Sequence, residues 1–224
     1  MRFVVLGGSA SATPELADAL AAWPGGFERR PPLQLVLHGR SRDRLAIVAE
    51  EMRRRVASLP GAGVDVIAET DVLAALEGAE VVLNAVRVGG LAARVFDESY
   101  SQPHGLPGEE TMGPGGLANA LRTVPVVRSY WAAVMEVAPD ALHINLTNPS
   151  GIVVAALGRE FGTRIFSVCD SPVVFCDKLA ERLASLPDLG NQQLAVLERL
   201  AAGMIDVVEK AGQRSRGQKD FLLD

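Results

Sequence analysis

The stretch RFVVLGGSASATPELADAL, residues 2–20, decides the fold class, because it predicts a strand, a glycine turn and a helix in immediate succession. Thr13 is expected to cap the helix. Against the G-x-G-x-x-G pattern of dinucleotide-binding turns, Gly7 is present and Ser9 stands in the second glycine position. Taken alone, the motif fits an ordinary tight turn as well as it fits a dinucleotide site.

Further apolar runs of strand length predict a parallel sheet, because continuous apolar runs are typical of strands buried on both faces. These runs are 33–40, 63–69, 79–86, 141–147 and 164–170. Helices are predicted at 41–56, with Ser41 as the N-cap, at 71–76, at 115–137 and after the NPSG segment at 148–151. The alternation predicts an α/β fold, a doubly wound parallel sheet of the Rossmann-like type with strand order 3-2-1-4-5-6.

The segments between and after these elements predict the domain organisation of the chain. Residues 87–113 are rich in glycine, proline and polar residues, and we expect them to form an irregular lid or binding loop. We predict a dinucleotide-binding, Rossmann-like domain over residues 1–185 and a short helical C-terminal extension over 186–224. The extension is predicted from apolar residues at helical spacing, which are Leu194, Leu197, Ala201, Met204 and Val208.

Composition excludes several classes of partner. The 224 residues carry a net charge of −5, which argues against nucleic acid or an anionic membrane. No apolar run is long enough for a secretory signal or a membrane span. Cys169 and Cys176 are therefore expected to be reduced thiols in a cytoplasmic protein.

The end of the second predicted strand bears on cofactor choice. A site for NAD normally has a carboxylate there, which binds the ribose 2′-hydroxyl, whereas an arginine accommodates the 2′-phosphate of NADP. This chain has Gly39, Arg40, Ser41 and Arg42. The residues favour NADP, with Arg40 as a cofactor contact, although arginines at a helix start are also common as plain surface charge.

Polar motifs follow the later strands: NAVRVGGLAAR (84–94), GEETMGPGG (108–116), TNPSG (147–151) and VCDSP (168–172). The carboxyl ends of parallel strands meet at one edge of a sheet, so these motifs are expected to gather into one site. With LGGSASATPEL near the N-terminus, they resemble the motifs of family 4 glycoside hydrolases, the NAD- and metal-dependent phosphoglycosidases and galactosidases. The likeness covers roughly residues 3 to 180.

The resemblance implies hydrolysis of a 6-phosphoglycoside by redox and elimination, outside the usual two-carboxylate scheme. The nicotinamide, from NAD or NADP, takes hydride from C3 of the sugar and a base then removes the proton on C2. The aglycone leaves by elimination, water adds and the hydride returns. A divalent metal, typically Mn²⁺, polarises the C2 and C3 oxygens.

The resemblance also implies roles for individual residues. Cys169 matches a metal ligand and Asp170 a general acid, whereas Asn148, Glu110 and Arg94 match substrate contacts. Cofactor contacts are implied for Gly7, Gly8, Ser9 and Asn84, with Arg87 between cofactor and substrate. The residues alone allow other interpretations: Cys169 as a buried apolar residue, Asp170 as a helix cap and Asn148 as a turn residue.

The chain also departs from the family pattern. The family has a second domain after this point, with a histidine that completes the metal site and a tyrosine that acts as the base. Here the histidines and tyrosines all precede Cys169 in the sequence; they are His38, His104, His143, Tyr100 and Tyr130. We therefore interpret residues 186–224 as a remnant of that domain.

These observations leave three hypotheses. The first is a glycosidase that acts on a phosphorylated glycoside and, like its family, forms homo-oligomers. The second is a non-catalytic paralogue that binds a dinucleotide or a sugar phosphate. The third, a lactate- or malate-type dehydrogenase, requires a histidine base beside the nicotinamide, and His143 lies inside an apolar strand.

Overall fold

The computed structural model describes residues 1–21, 32–59, 61, 63–162 and 165–169. Six parallel strands form one sheet in the order β3-β2-β1-β4-β5-β6, which confirms the predicted doubly wound topology. Their bounds are β1 Arg2–Leu6, β2 Leu33–His38, β3 Val64–Glu69, β4 Val81–Asn84, β5 Leu142–Asn145 and β6 Ile165–Ser167.

Six helices are described, and they connect the strands. They are α1 Leu16–Ala21, α2 Arg42–Ala57, α3 Val72–Leu76, α4 Gly90–Ser99, α5 Gly113–Val137 and α6 Ser150–Phe161. The compact unit that contains the sheet spans Met1–Val168. The boundary predicted at residue 185 and the helical extension over 186–224 lie outside the described residues and stay predictions.

Alternating side chains of the central strands explain why their sequences are continuously apolar. Val5 and Leu37 pack with Met52 of α2 on one face of the sheet. Val4 and Leu6 pack on the other face, in a cluster with residues of α3 and α5. Since both faces are covered, successive residues are all buried, and the strands cannot show the polar alternation of a half-exposed sheet.

The first helix begins differently from the prediction. Thr13 was expected as an N-cap, but it is the first residue of a short 3₁₀ helix, Thr13–Glu15, and no side chain caps this helix. The preceding residue, Ala12, already has helical backbone angles, whereas a capping residue is normally extended. Ser41 does have extended angles, and its hydroxyl accepts a hydrogen bond from the Arg44 N–H, as predicted.

Helix α4 corrects the prediction of an irregular segment over residues 87–113. The helix starts after Gly89, whose φ of +81° turns the chain sharply out of the preceding segment. Its buried residue is Asp97, whereas Leu91 and Val95 are exposed. Hydrophobic periodicity therefore could not reveal how the helix packs, because the side chain on its buried face is a carboxylate.

The described helices include none that is both long enough and apolar enough to span a membrane.

The glycine turn after β1 packs closely against both neighbouring strands. The N–H groups of Gly7 and Gly8 donate to the carbonyl oxygen of His38, at N···O distances of 3.1 and 2.8 Å. Gly7 has φ +89°, and a methyl group added to it would lie 2.6 Å from the carbonyl oxygen of Ala85. A side chain at position 7 is therefore disfavoured both by the positive φ and by the close approach of Ala85.

Replacing Gly7 by alanine is expected to destabilise the fold by about 3 kcal/mol, because φ is strained and because the added methyl group would meet the backbone of Ala85, directly after β4. Gly105 is a matched control, because its φ is +71° but nothing lies within 4 Å of an added methyl group. We expect Gly105→Ala to cost about 1 kcal/mol in urea unfolding. Equal losses for the two variants would contradict the close packing of the turn.

Candidate active site

A polar pocket lies beyond the carboxyl ends of β4 and β5. Its lining comes from the segment after β4, from α4, from the segment before α5, from α5 itself and from the segment after β5. Four of the predicted site residues line it together: Arg87, Arg94, Glu110 and Asn148. Residues from three separate sequence motifs therefore converge at one place, as predicted.

The carboxylate of Glu110 lies in the lining of this pocket and faces two arginines. Its side chain is only 7% exposed, and its Oε2 atom lies 2.7 Å from Nη1 of Arg87 and 3.8 Å from Nε of Arg94. Burial alone raises the pKa of Glu110. The hydrogen bond from Arg87, the charges of Arg87 and Arg94 and a hydrogen bond with Asn148 outweigh burial, so the net pKa is lowered and the group is ionised at neutral pH.

Arg94 remains charged while it faces this carboxylate. Its Nε atom donates to Oε1 of Glu98, one turn along α4, at 2.8 Å. The hydrogen bond with Glu98 and the charge of Glu110 raise the pKa of Arg94. Both Arg87 and Arg94 keep side chains that are 43% exposed, so an anion that enters the pocket can approach them.

Tight backbone packing fixes the position of Glu110. A methyl group added to Gly115, in the first turn of α5, would collide with the carbonyl oxygens of Glu109 and Asp97. Asn119, one turn further along, donates from Nδ2 to the Glu110 carbonyl oxygen at 3.1 Å. The glycines of GEETMGPGG thus let α5 approach the segment that carries the carboxylate.

A second ion pair, which was not predicted from the sequence, lies in the wall of the pocket. Asp97 is fully buried, and both its oxygens accept hydrogen bonds from the guanidinium group of Arg122 on α5. Arg122 also donates from Nε to the Val88 carbonyl oxygen at 3.1 Å. This arginine therefore joins α4, α5 and the segment after β4. The available signal was a polar face on α5, formed by Asn119, Arg122 and Thr123 at helical spacing.

A buried hydrogen-bond network connects the carboxyl ends of β4, β5 and β6. Asn84 donates from Nδ2 to Oδ1 of Asn145 at 2.8 Å, and Asn145 donates in turn to Oγ of Ser167 at 3.1 Å. Thr147 bonds through its hydroxyl to the Val86 carbonyl oxygen at 3.0 Å. The Asn84 side chain is fully buried, and its hydrogen bond to Asn145 joins the end of β4 to the end of β5. Its predicted contact with a dinucleotide stays a prediction.

The residues predicted on the dinucleotide side come from other segments of the fold. Gly7, Gly8 and Ser9 form the turn after β1, and Arg40 is exposed after β2. Cys169 is exposed with a free thiol. The predicted general acid, Asp170, lies outside the described residues.

The described residues provide elements of a dinucleotide site. The strand order reverses between β1 and β4, and the crevice at such a reversal is where doubly wound sheets bind dinucleotides. The positive φ of Gly7 supplies the tight turn that this binding requires. For a metal, no group of three His, Cys, Asp or Glu side chains occurs among the described residues.

Fold and pocket together define an α/β protein with a dinucleotide-type sheet and a charged polar pocket at its carboxyl edge. The family model for family 4 glycosyl hydrolases matches residues 4–185, and the chain belongs to this family.

Two curated relatives and one solved structure illustrate the likeness. The chain is 32% identical over 207 residues to a probable 6-phospho-beta-glucosidase of Bacillus subtilis, covering 91% of this chain and 46% of the relative. It is 35% identical over 180 residues to the 6-phospho-beta-glucosidase of Escherichia coli, covering 77% and 38%. The chain thus spans less than half the length of these relatives.

The solved structure is the 6-phospho-beta glucosidase of Thermotoga maritima with NAD and glucose-6-phosphate. It superimposes with a TM-score of 0.70 at 28% identity, over 83% of this chain and 43% of that one. Another crystal of the same enzyme also contains manganese.

Asp97→Asn is expected to destabilise the protein by about 3 kcal/mol, because it leaves the partly buried Arg122 without its counter-charge. Glu160→Gln is the matched control, since it breaks the exposed Arg128–Glu160 pair and should cost less than about 1 kcal/mol. Urea unfolding of both variants measures the difference. Losses of the same size would show that the buried pair does not hold the pocket wall together.

Proposed function

We propose that the protein hydrolyses 6-phosphoglycosides by the redox and elimination chemistry of its family, with a nicotinamide dinucleotide and a divalent metal such as Mn²⁺. The observation that carries the proposal is the convergence of Arg87, Arg94, Glu110 and Asn148 on one pocket. Family membership supports it, as does the presence of NAD, manganese and glucose-6-phosphate in the related Thermotoga enzyme.

The pocket residues can bind and orient a phosphorylated sugar. The ionised Glu110 accepts a hydrogen bond from a sugar hydroxyl, and Asn148 can donate to or accept from a second hydroxyl. Arg94 and Arg87 supply positive charge for the phosphate or for negative charge that develops on the sugar oxygens. When bound, the dinucleotide supplies hydride transfer at C3 of the sugar.

The remaining predicted roles belong to the same proposal. Cys169 is proposed as a metal ligand and Asp170 as the general acid, and both directly follow the segment that contains β6. Gly7, Gly8, Ser9, Arg40 and Asn84 are proposed on the dinucleotide side. Family membership also supports a homo-oligomer that acts in the cytoplasm, which light scattering on the purified protein and cell fractionation can test.

A non-catalytic protein that binds a dinucleotide or a sugar phosphate is the second candidate. Two features of the described residues favour it. They contain no three-residue metal-binding group, and His38 and His143 are both buried within strands of the sheet. This candidate predicts the same binding without turnover.

Incubation with NAD⁺ or NADP⁺, Mn²⁺ and a reductant should release nitrophenol from nitrophenyl 6-phosphoglucosides of the α or β anomer. Arg94→Met should weaken glucose-6-phosphate binding by roughly tenfold or more in calorimetry, because a charged hydrogen bond is lost. Arg128→Met removes the same charge from an exposed pair and should leave binding unchanged.

The outcomes separate the two candidates. Turnover supports the glycosidase, and glucose-6-phosphate binding without turnover under any of these conditions supports the non-catalytic protein. Absence of both binding and turnover would refute both assignments of the pocket.

A further inference from the structure

The segment after β2 lies directly beside the dinucleotide turn. β1 pairs with β2 along its whole length, with Leu6 opposite His38. A methyl group added to Gly39 would lie only 2.9 Å from Oγ of Ser9. In doubly wound folds this segment contacts the adenosine ribose, so residues 39–42 are placed to recognise its 2′ substituent.

The acidic residue that binds a ribose 2′-hydroxyl is missing from this segment. Residues 39–42 contain no carboxylate, and the first acidic residue is Asp43, already inside α2. Glu69 ends the neighbouring strand, β3, but its Oε1 accepts a hydrogen bond from the Asp71 N–H at 2.8 Å. That carboxylate is therefore already engaged in the turn before α3.

Two exposed arginines occupy this segment. Arg40 and Arg42 are exposed, and neither forms an ion pair or a side-chain hydrogen bond within the described part of the chain. The arginines at the other end of α2 behave differently, since Arg53 pairs with Glu50 and both Arg54 and Arg55 pair with Glu51. Intrahelical pairing thus accounts for the basic residues at one end of α2 and not for those at the other.

Unpaired guanidinium groups beside a ribose site suit a phosphate. A guanidinium group matches the oxygen geometry of phosphate with two parallel hydrogen bonds, and it attracts a dianion far more than a hydroxyl group. We infer that this chain selects the 2′-phosphorylated dinucleotide NADP over NAD through Arg40 and Arg42. The inference rests on the dinucleotide site of the proposed function.

Isothermal titration of the full chain with NADP⁺ and with NAD⁺ tests the inference. We expect NADP⁺ to bind at least roughly tenfold more tightly, because charged hydrogen bonds to the 2′-phosphate are added. Adenosine 2′,5′-bisphosphate should likewise bind more tightly than adenosine 5′-monophosphate. Arg40→Ala and Arg42→Ala should each weaken NADP⁺ binding by about tenfold and change NAD⁺ binding by less than about twofold.

Arg159→Ala is the matched control. It removes an exposed arginine from the last turn of α6, so it changes the net charge equally without touching the ribose segment. This variant should keep the native preference for NADP⁺.

Each other outcome overturns the inference in a recognisable way. If NAD⁺ binds as tightly as NADP⁺, or if the Arg40 and Arg42 variants lower both affinities alike, selection by the 2′-phosphate is wrong while the dinucleotide site stands. If neither dinucleotide binds, the dinucleotide part of the proposed function fails together with the inference.

Discussion

A buried negative charge determines how the segments beyond the carboxyl ends of β4 and β5 pack together. The Glu110 carboxylate is almost inaccessible to water, and an ionised carboxylate in such a place is costly unless charges and hydrogen-bond donors surround it. Arg87 comes from the segment after β4, Arg94 from α4 and Asn148 from the segment after β5. The charge is thus compensated only when residues 87–94, Glu110 and Asn148 have come together, and that same convergence creates the pocket.

The surrounding structure holds these parts in place through polar contacts. Asn84, Asn145 and Ser167 join the ends of three strands, and the Asp97–Arg122 pair joins two helices to the segment after β4. Such interactions specify geometry more than they add stability, because each buried polar group costs desolvation. The pocket wall is therefore well defined by contacts that need no bound ligand.

The sequence predicted the sheet and its order because apolar runs buried on both faces are a strong local signal, as β1 and β2 show. It also predicted the convergence of Arg87 and Asn148, since they follow the ends of β4 and β5 closely, whereas Arg94 in α4 and Glu110 before α5 were predicted from the family motifs that contain them. Helix α4 was missed because its buried residue is the carboxylate Asp97. This residue can be buried only because it pairs with Arg122, which lies 25 positions away in the sequence. The Thr13 cap was wrong because the backbone at Ala12 is already helical. Long-range partners and backbone angles of this kind have no local signature.

The ionisation state of Glu110 is the property on which the organisation of the pocket depends most directly. A carbon-13 NMR titration of its side-chain carboxyl group should give a pKa below the usual 4.5, because Arg87, Arg94 and Asn148 outweigh burial. Arg87→Met removes the strongest interaction that lowers the pKa of Glu110. The pKa should therefore rise in this variant, and the stabilisation that the ionised carboxylate gives should be lost at a higher pH than in the native protein. A native pKa at or above 4.5, unchanged by Arg87→Met, would contradict a pocket organised around this charge.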